Sequence, residues 1–133
     1  MTAINKKEIE NILKQSAQKR YKYFLTKICD MELAWGLYDN GWALAADNEG
    51  SVSFALWPAK IYAELCAKDE WANYHAEEIS LEQLLGELID ILAKEEIDFS
   101  IFMTPNQQGI ICEPQRLKTD IKNYCNESFG DEL

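Results

Sequence analysis

Residues 33 to 56 read LAWGLYDNGWALAADNEGSVSFAL, and this stretch decides the fold class. Leu33, Trp35 and Leu37 alternate with Ala34, Gly36 and Tyr38, the period of two that belongs to a strand with one buried face. Asp39-Asn40-Gly41 supplies a turn and Trp42 to Ala46 returns as a second strand. Asp47-Asn48-Glu49-Gly50 turns again, and Val52, Phe54 and Leu56 mark one face of a third. Three such strands in succession predict an antiparallel meander.

On the N-terminal side the period changes to that of a helix. Ile9, Ile12, Leu13, Ala17, Tyr21, Phe24, Leu25 and Ile28 keep an i, i+3, i+4 rhythm, so one long amphipathic helix is expected across residues 5–28, with Asn5 as its cap. This first segment, residues 1–28, is basic. On the C-terminal side Pro58 fits the first turn of a short helix through Ile61, Tyr62, Leu65 and Cys66. Residues 71–79 read as a loop with a short strand near Ile79. Ser80 and Gln83 have capping-box spacing and open a helix with Leu81, Leu84, Leu85, Leu88, Ile91 and Leu92 inward. Phe99, Ile101 and Met103 mark a strand stopped by Pro105, and Ile110-Ile111-Cys112 pairs back on it as a hairpin. A last helix runs from Pro114 to about Phe129, with Gly130 past its end. The expected class is α+β: a mainly antiparallel sheet, made of the three-strand meander and the C-terminal hairpin, covered by about four helices.

At 133 residues, with 47% apolar positions and only 3 Pro, the chain suits a single globular domain, residues 1–133, and no disordered or fibrous class. No apolar run approaches the roughly 18 residues of a membrane span. The start, Met1 to Lys7, lacks the apolar core of a secretory signal, so a cytoplasmic location is expected. Net charge is −10, but residues 1–28 carry seven Lys or Arg against Glu8 and Glu10, or +5, leaving −15 for the remainder. Such a body repels nucleic acid and anionic lipid, so neither is expected as a partner. The asymmetry suits a basic helix on an acidic body, a homo-oligomer or a protein partner.

There is no Gly-x-Gly pair and no Gly-x-Ser-x-Gly elbow, and His75 is the single histidine, so no dinucleotide, phosphate-loop or two-His metal site can be drawn. His75-Ala76-Glu77 matches half of the zinc deaminase signature, and the Pro-Cys-x-x-Cys half is missing. Cys29, Cys66, Cys112 and Cys125 form no closely spaced pair and are expected as reduced, packed thiols. No cofactor, metal or catalytic residue is therefore assigned. Trp35 belongs to the core on its strand pattern. Trp42 and Trp57 suit packing under the helices first; with Trp71 and Tyr62 they are also the aromatic candidates for a contact surface.

Several of these residues recur together. Arg20-Tyr21-x-Tyr23-Phe24-Leu25, Trp35-Gly36-Leu37 with Gly41-Trp42-Ala43, Leu56-Trp57-Pro58 with Ala63, and Ile79-x-Leu81 with Leu88 make the chain resemble the bacterial domain-of-unknown-function family 2750 over about residues 15–122. The resemblance implies a small bacterial cytoplasmic protein of one domain and carries over no catalytic or binding residue.

Two functions compete at this point. The first is a non-catalytic domain that self-associates or docks a partner, basic by charge complementarity, through a surface drawn from Trp42, Trp57, Tyr62 and Trp71. The second is a small enzyme or small-molecule-binding protein using His75 with Glu77 or Glu78, or one Cys, in a pocket between the sheet and the helix from Ser80.

Overall fold

A computed structural model describes residues 4–47 and 49–129. Over the described residues it is α+β, with five helices and two sheets that share one hydrophobic core. Asn48 of the second expected turn and Gly130 beyond the last helix lie outside the described residues.

The long N-terminal helix is two helices, α1 (Lys6–Leu13) and α2 (Ala17–Met31). Asn5 caps α1 as expected, its side chain accepting from the Glu8 amide at 2.8 Å. The periodicity concealed a second cap: Ser16 Oγ accepts from the Lys19 amide at 3.2 Å and starts α2 afresh. The break turns the Gln15 carbonyl toward the Arg20 guanidinium, which donates to it at 2.7 Å. Arg20 is fully buried and belongs to no basic surface.

The three strands of the decisive stretch form as β1 (Leu33–Tyr38), β2 (Leu44–Ala46) and β3 (Val52–Leu56), but they do not make one meander. β1 pairs antiparallel with β4 (His75–Ser80) in a two-stranded sheet, Leu33 opposite Ser80 and Tyr38 opposite His75. β2 and β3 join a four-stranded sheet in the order β2-β3-β5-β6, with β5 at Asp98–Ile101 and β6 at Ile110–Cys112. Isolated bridges, Trp35 to Trp57 and Tyr38 to Trp42, link the two sheets. Gly36 explains the close approach: a Cβ there would stand 2.9 Å from the Trp42 ring, which lies against β1. The expected C-terminal hairpin is present in β5 and β6. The β3–β5 pair is parallel, Ser53 opposite Asp98, so the sheet is mixed.

Pro58 precedes its helix rather than opening it; Ala59 is the cap residue and α3 spans Lys60–Leu65. In place of a loop with a short strand near Ile79, a 3₁₀ turn at Asp69–Trp71 leads into a six-residue strand, β4, that includes Ile79. Ser80 caps the next helix as expected, accepting from the Gln83 amide at 3.0 Å. This helix, α4, runs as α over Leu81–Gln83, as π over Leu84–Leu88 and again as α over Ile89–Glu95. The wide turn advances the buried stripe by one residue. Ile89 is therefore buried and Ile91 is 53% exposed, the reverse of the regular helical reading.

The last helix, α5 (Pro114–Phe129), packs on α2 and α4. A disulfide joins Cys29 of α2 to Cys125 of α5, which corrects the expectation of four reduced thiols; Cys66 and Cys112 are free and buried. No helix among the described residues is long and apolar enough to cross a membrane.

Candidate functional site

The aromatic surface expected from sequence divides in two. Trp57 and Tyr62 are 0% and 1% exposed and cannot touch a partner, while Trp42 and Trp71 are half-buried. Trp57 spans the interior: its indole N–H donates to the Met103 carbonyl at 2.9 Å, and its ring meets Trp71 edge-on with centroids 6.2 Å apart. Tyr62 pairs with Tyr23, hydroxyl to hydroxyl at 2.8 Å, and packs on Phe102. Trp42 stacks in the row Tyr38, Trp42, Phe54, Phe99, as structural aromatics do. Trp35, expected in the core, is half-buried against it.

The site that geometry does provide is on the four-stranded sheet. Along β3 and β5 the register puts Phe54, Leu56, Phe99 and Ile101 on one face, all buried in the core, and Ser53, Ala55, Asp98 and Ser100 on the other, where Ala55 is buried as well and Asp98 is half-buried. That second face holds a cavity of about 230 Å³, bounded on one side by the turn at Asp47 and Ser51 and on the other by Met103 and Gln108. Ser53 and Ser100 on its floor are only 7% and 3% exposed. Neither hydroxyl has a hydrogen-bond partner among the described residues. No side-chain N or O sealed from solvent is left unpaired there either, so both hydroxyls open into the cavity. A second cavity continues along the same face past Ala45, Ala46 and Met103 to Lys68 and Trp71.

The wall formed by residues 103–108 is held by Arg20 of α2. Arg20 donates to Phe102 O at 3.0 Å, Gln107 Oε1 at 2.7 Å and Gln108 O at 2.7 Å, besides its bond to Gln15. Phe102 sits at φ 59°, a left-handed conformation that costs energy in a bulky residue, and its N–H and C=O are both bonded, to Leu56 and Arg20. The Thr104 and Gln107 backbones close the loop on each other, and Gly109 admits the Ile101 carbonyl where a Cβ would collide. Burial pulls the Arg20 guanidinium below its usual value, and its acceptors are all neutral oxygens.

The enzyme candidates occupy other places. His75 is exposed, 3.0 Å from Glu77 Oε1, and lines none of the cavities named above; Glu78, also on β4, is exposed. His75 and Glu77 lie together on one strand face, and neither lines a cavity named above. Burial pushes the Cys66 thiol up to about 11, against the pull of its contact with Trp57, and raises Cys112 as well. Both stay protonated at neutral pH and are poor nucleophiles. Burial also raises Tyr21 and Tyr23, whose hydroxyls donate to Asp120 at 2.7 Å and Glu8 at 2.6 Å. Among the described residues no three His, Cys, Asp or Glu side chains gather as a metal site.

Sequence reading missed the serine floor because isolated Ser residues within strands carry no motif. The alternation of Ser53 with Phe54 and of Ser100 with Phe99 was the available signal. It missed Arg20 because a helical Arg among lysines reads as surface.

The family model described as Protein of unknown function (DUF2750) matches residues 21–121. No curated protein and no solved structure matches the chain.

Proposed function

The chain belongs to the DUF2750 family, and from that premise we propose that it is a non-catalytic binding domain whose contact surface is the open face of the four-stranded sheet. One observation carries the reading: two strand serines, more than nine-tenths buried, present hydroxyls with no partner among the described residues to a groove on the sheet face. Ile111, 60% exposed at the edge of that groove, adds the apolar contact area of a docking surface. Trp71, beside Lys68 in the adjoining cavity, is the one expected aromatic that lines it.

A net charge of −10 favours a basic partner, or the basic helices of a second copy, over nucleic acid or an anionic membrane.

An oligolysine peptide tests it. Amide chemical shifts recorded at about 50 mM and about 500 mM salt are expected to move at Ala45, Ser53, Ser100 and Ile111, and to move less at the higher salt. Light scattering on the protein alone at the same two salts reports whether copies of the chain take the partner's place. A response confined to Glu77, Glu78, Glu95 and Glu96, or none at either salt with a monomeric protein throughout, rules the reading out.

A further inference from the structure

Resting on the reading of the open face as a contact surface, we propose that the groove over Ser53, Asp98 and Ser100 is a recognition site for the ammonium group of a primary amine. The register fixes the arrangement. Ser53 stands opposite Asp98 across the parallel β3–β5 pair, and Ser100 lies two residues beyond Asp98 on the same face. Strands are about 4.8 Å apart and i, i+2 residues about 6.6 Å apart, so the three side chains rise from the corners of a small triangle.

Their chemistry specifies the guest. The cavity lining contains Asp47 and Asp98 and no Lys, Arg or His, so an anion finds no counter-charge. Asp47 already spends one carboxylate oxygen on the Glu49 and Ser51 amides, both at 2.9 Å. Asp98 has no hydrogen bond or ion pair among the described residues. It therefore supplies a free carboxylate, and the two unpaired serine hydroxyls supply further acceptors. An ammonium group carries three N–H donors and needs three such oxygens; the planar fork of a guanidinium matches a triangle of separate acceptors less well. Met103, Ile111 and Ala45 flank these groups and would take an alkyl stem. At about 230 Å³ the cavity is smaller than the roughly 300–1,000 Å³ that houses drug-sized ligands, which fits a short amine or a single lysine side chain.

The test uses the full chain and three isosteric probes, n-butylamine, n-butanol and butyrate, followed by amide chemical shifts. Butylammonium is expected to produce saturable shifts at Ser53, Asp98 and Ser100 at millimolar concentration, with butanol weaker and butyrate silent. Asp98→Asn, its spectrum first checked for an unchanged fold, should weaken butylammonium about tenfold, and Ser100→Ala severalfold. N-acetyl-lysine methylamide beside its norleucine analogue then separates the sources. Preference for the lysine compound over butylamine indicates a protein side chain, and preference for butylamine a free amine. Butyrate shifts equal to those of butylammonium, or amine shifts unaltered by both Asp98→Asn and Ser100→Ala, overturn the proposal. An oligolysine response on the open face with silent butylamine and lysine probes also overturns it while leaving the broader reading intact.

Discussion

Arg20 and the pair Ser53 and Ser100 are all strongly buried polar groups, and they are treated in opposite ways. The guanidinium makes four hydrogen bonds, to Gln15, Phe102, Gln107 and Gln108, and touches no solvent. The serine hydroxyls make none within the described residues and keep a path to water. A protein that satisfies a buried cation so fully has the means to satisfy two hydroxyls. Buried polar groups left open beside a cavity are therefore a mark of binding, and those that are closed are a mark of construction.

Substitutions can break this contrast. Arg20→Met should have the largest effect, about 3–4 kcal/mol in urea unfolding, because it strands four acceptors and frees the loop that walls the groove. A loss below about 1 kcal/mol would show that the web contributes little. Trp57→Phe keeps an aromatic side chain but loses indole volume and the bond to the Met103 carbonyl; a loss of about 1–2 kcal/mol is expected, with weaker amine binding because Met103 is part of the wall.

A smaller, pH-dependent effect belongs to Glu8. The Tyr23 hydroxyl and then Lys27 hold this carboxyl below its usual value against the opposing effect of burial. Its folded value is depressed, so its contribution is present above the unfolded value and fades as pH falls through the folded one. Stability curves of the protein and of Glu8→Gln, measured from neutral to acid pH, should converge at the acid end; parallel curves would deny Glu8 that share. The smallest change sharpens the contrast most. Ser53→Ala and Ser100→Ala should each alter stability by less than about 0.5 kcal/mol, since no internal bond is lost. A cost above about 1 kcal/mol would mean that these hydroxyls are structural after all.

The sequence carried the elements better than their partners. Local signals were readable: the Asn5 and Ser80 caps, the strand at Leu33 to Tyr38, though Ala34 and Gly36 are buried where Leu33 and Trp35 are only half-buried, and the hairpin that ends at Cys112. Ser16 was misread because a capping serine inside an unbroken apolar rhythm looks like any polar helix position. The π turn at Leu84–Leu88 was invisible, since Leu81 to Leu92 offers apolar residues enough for either phase. Pairing is decided at long range. Nothing near Leu33 announces that β1 will take β4 in place of β2, nor does the spacing of Cys29 and Cys125 announce their bond. The site was legible only as a pattern of faces, because its chemistry resides in Ser and Asp residues from strands far apart in the chain.

The parallel pairing of β3 with β5 has a kinetic consequence. Ser53 and Asp98 meet only after the whole chain from α3 through α4 has been looped out between them, a closure that must be completed before its contacts reward it. The β2–β3 and β5–β6 hairpins need no such closure. During refolding from urea, amide protection in the two hairpins should precede the appearance of an amine response, because the floor of the groove exists only once the two hairpins have met. A groove built this way is absent from half-folded chains, so whatever it recognises is recognised by finished molecules alone.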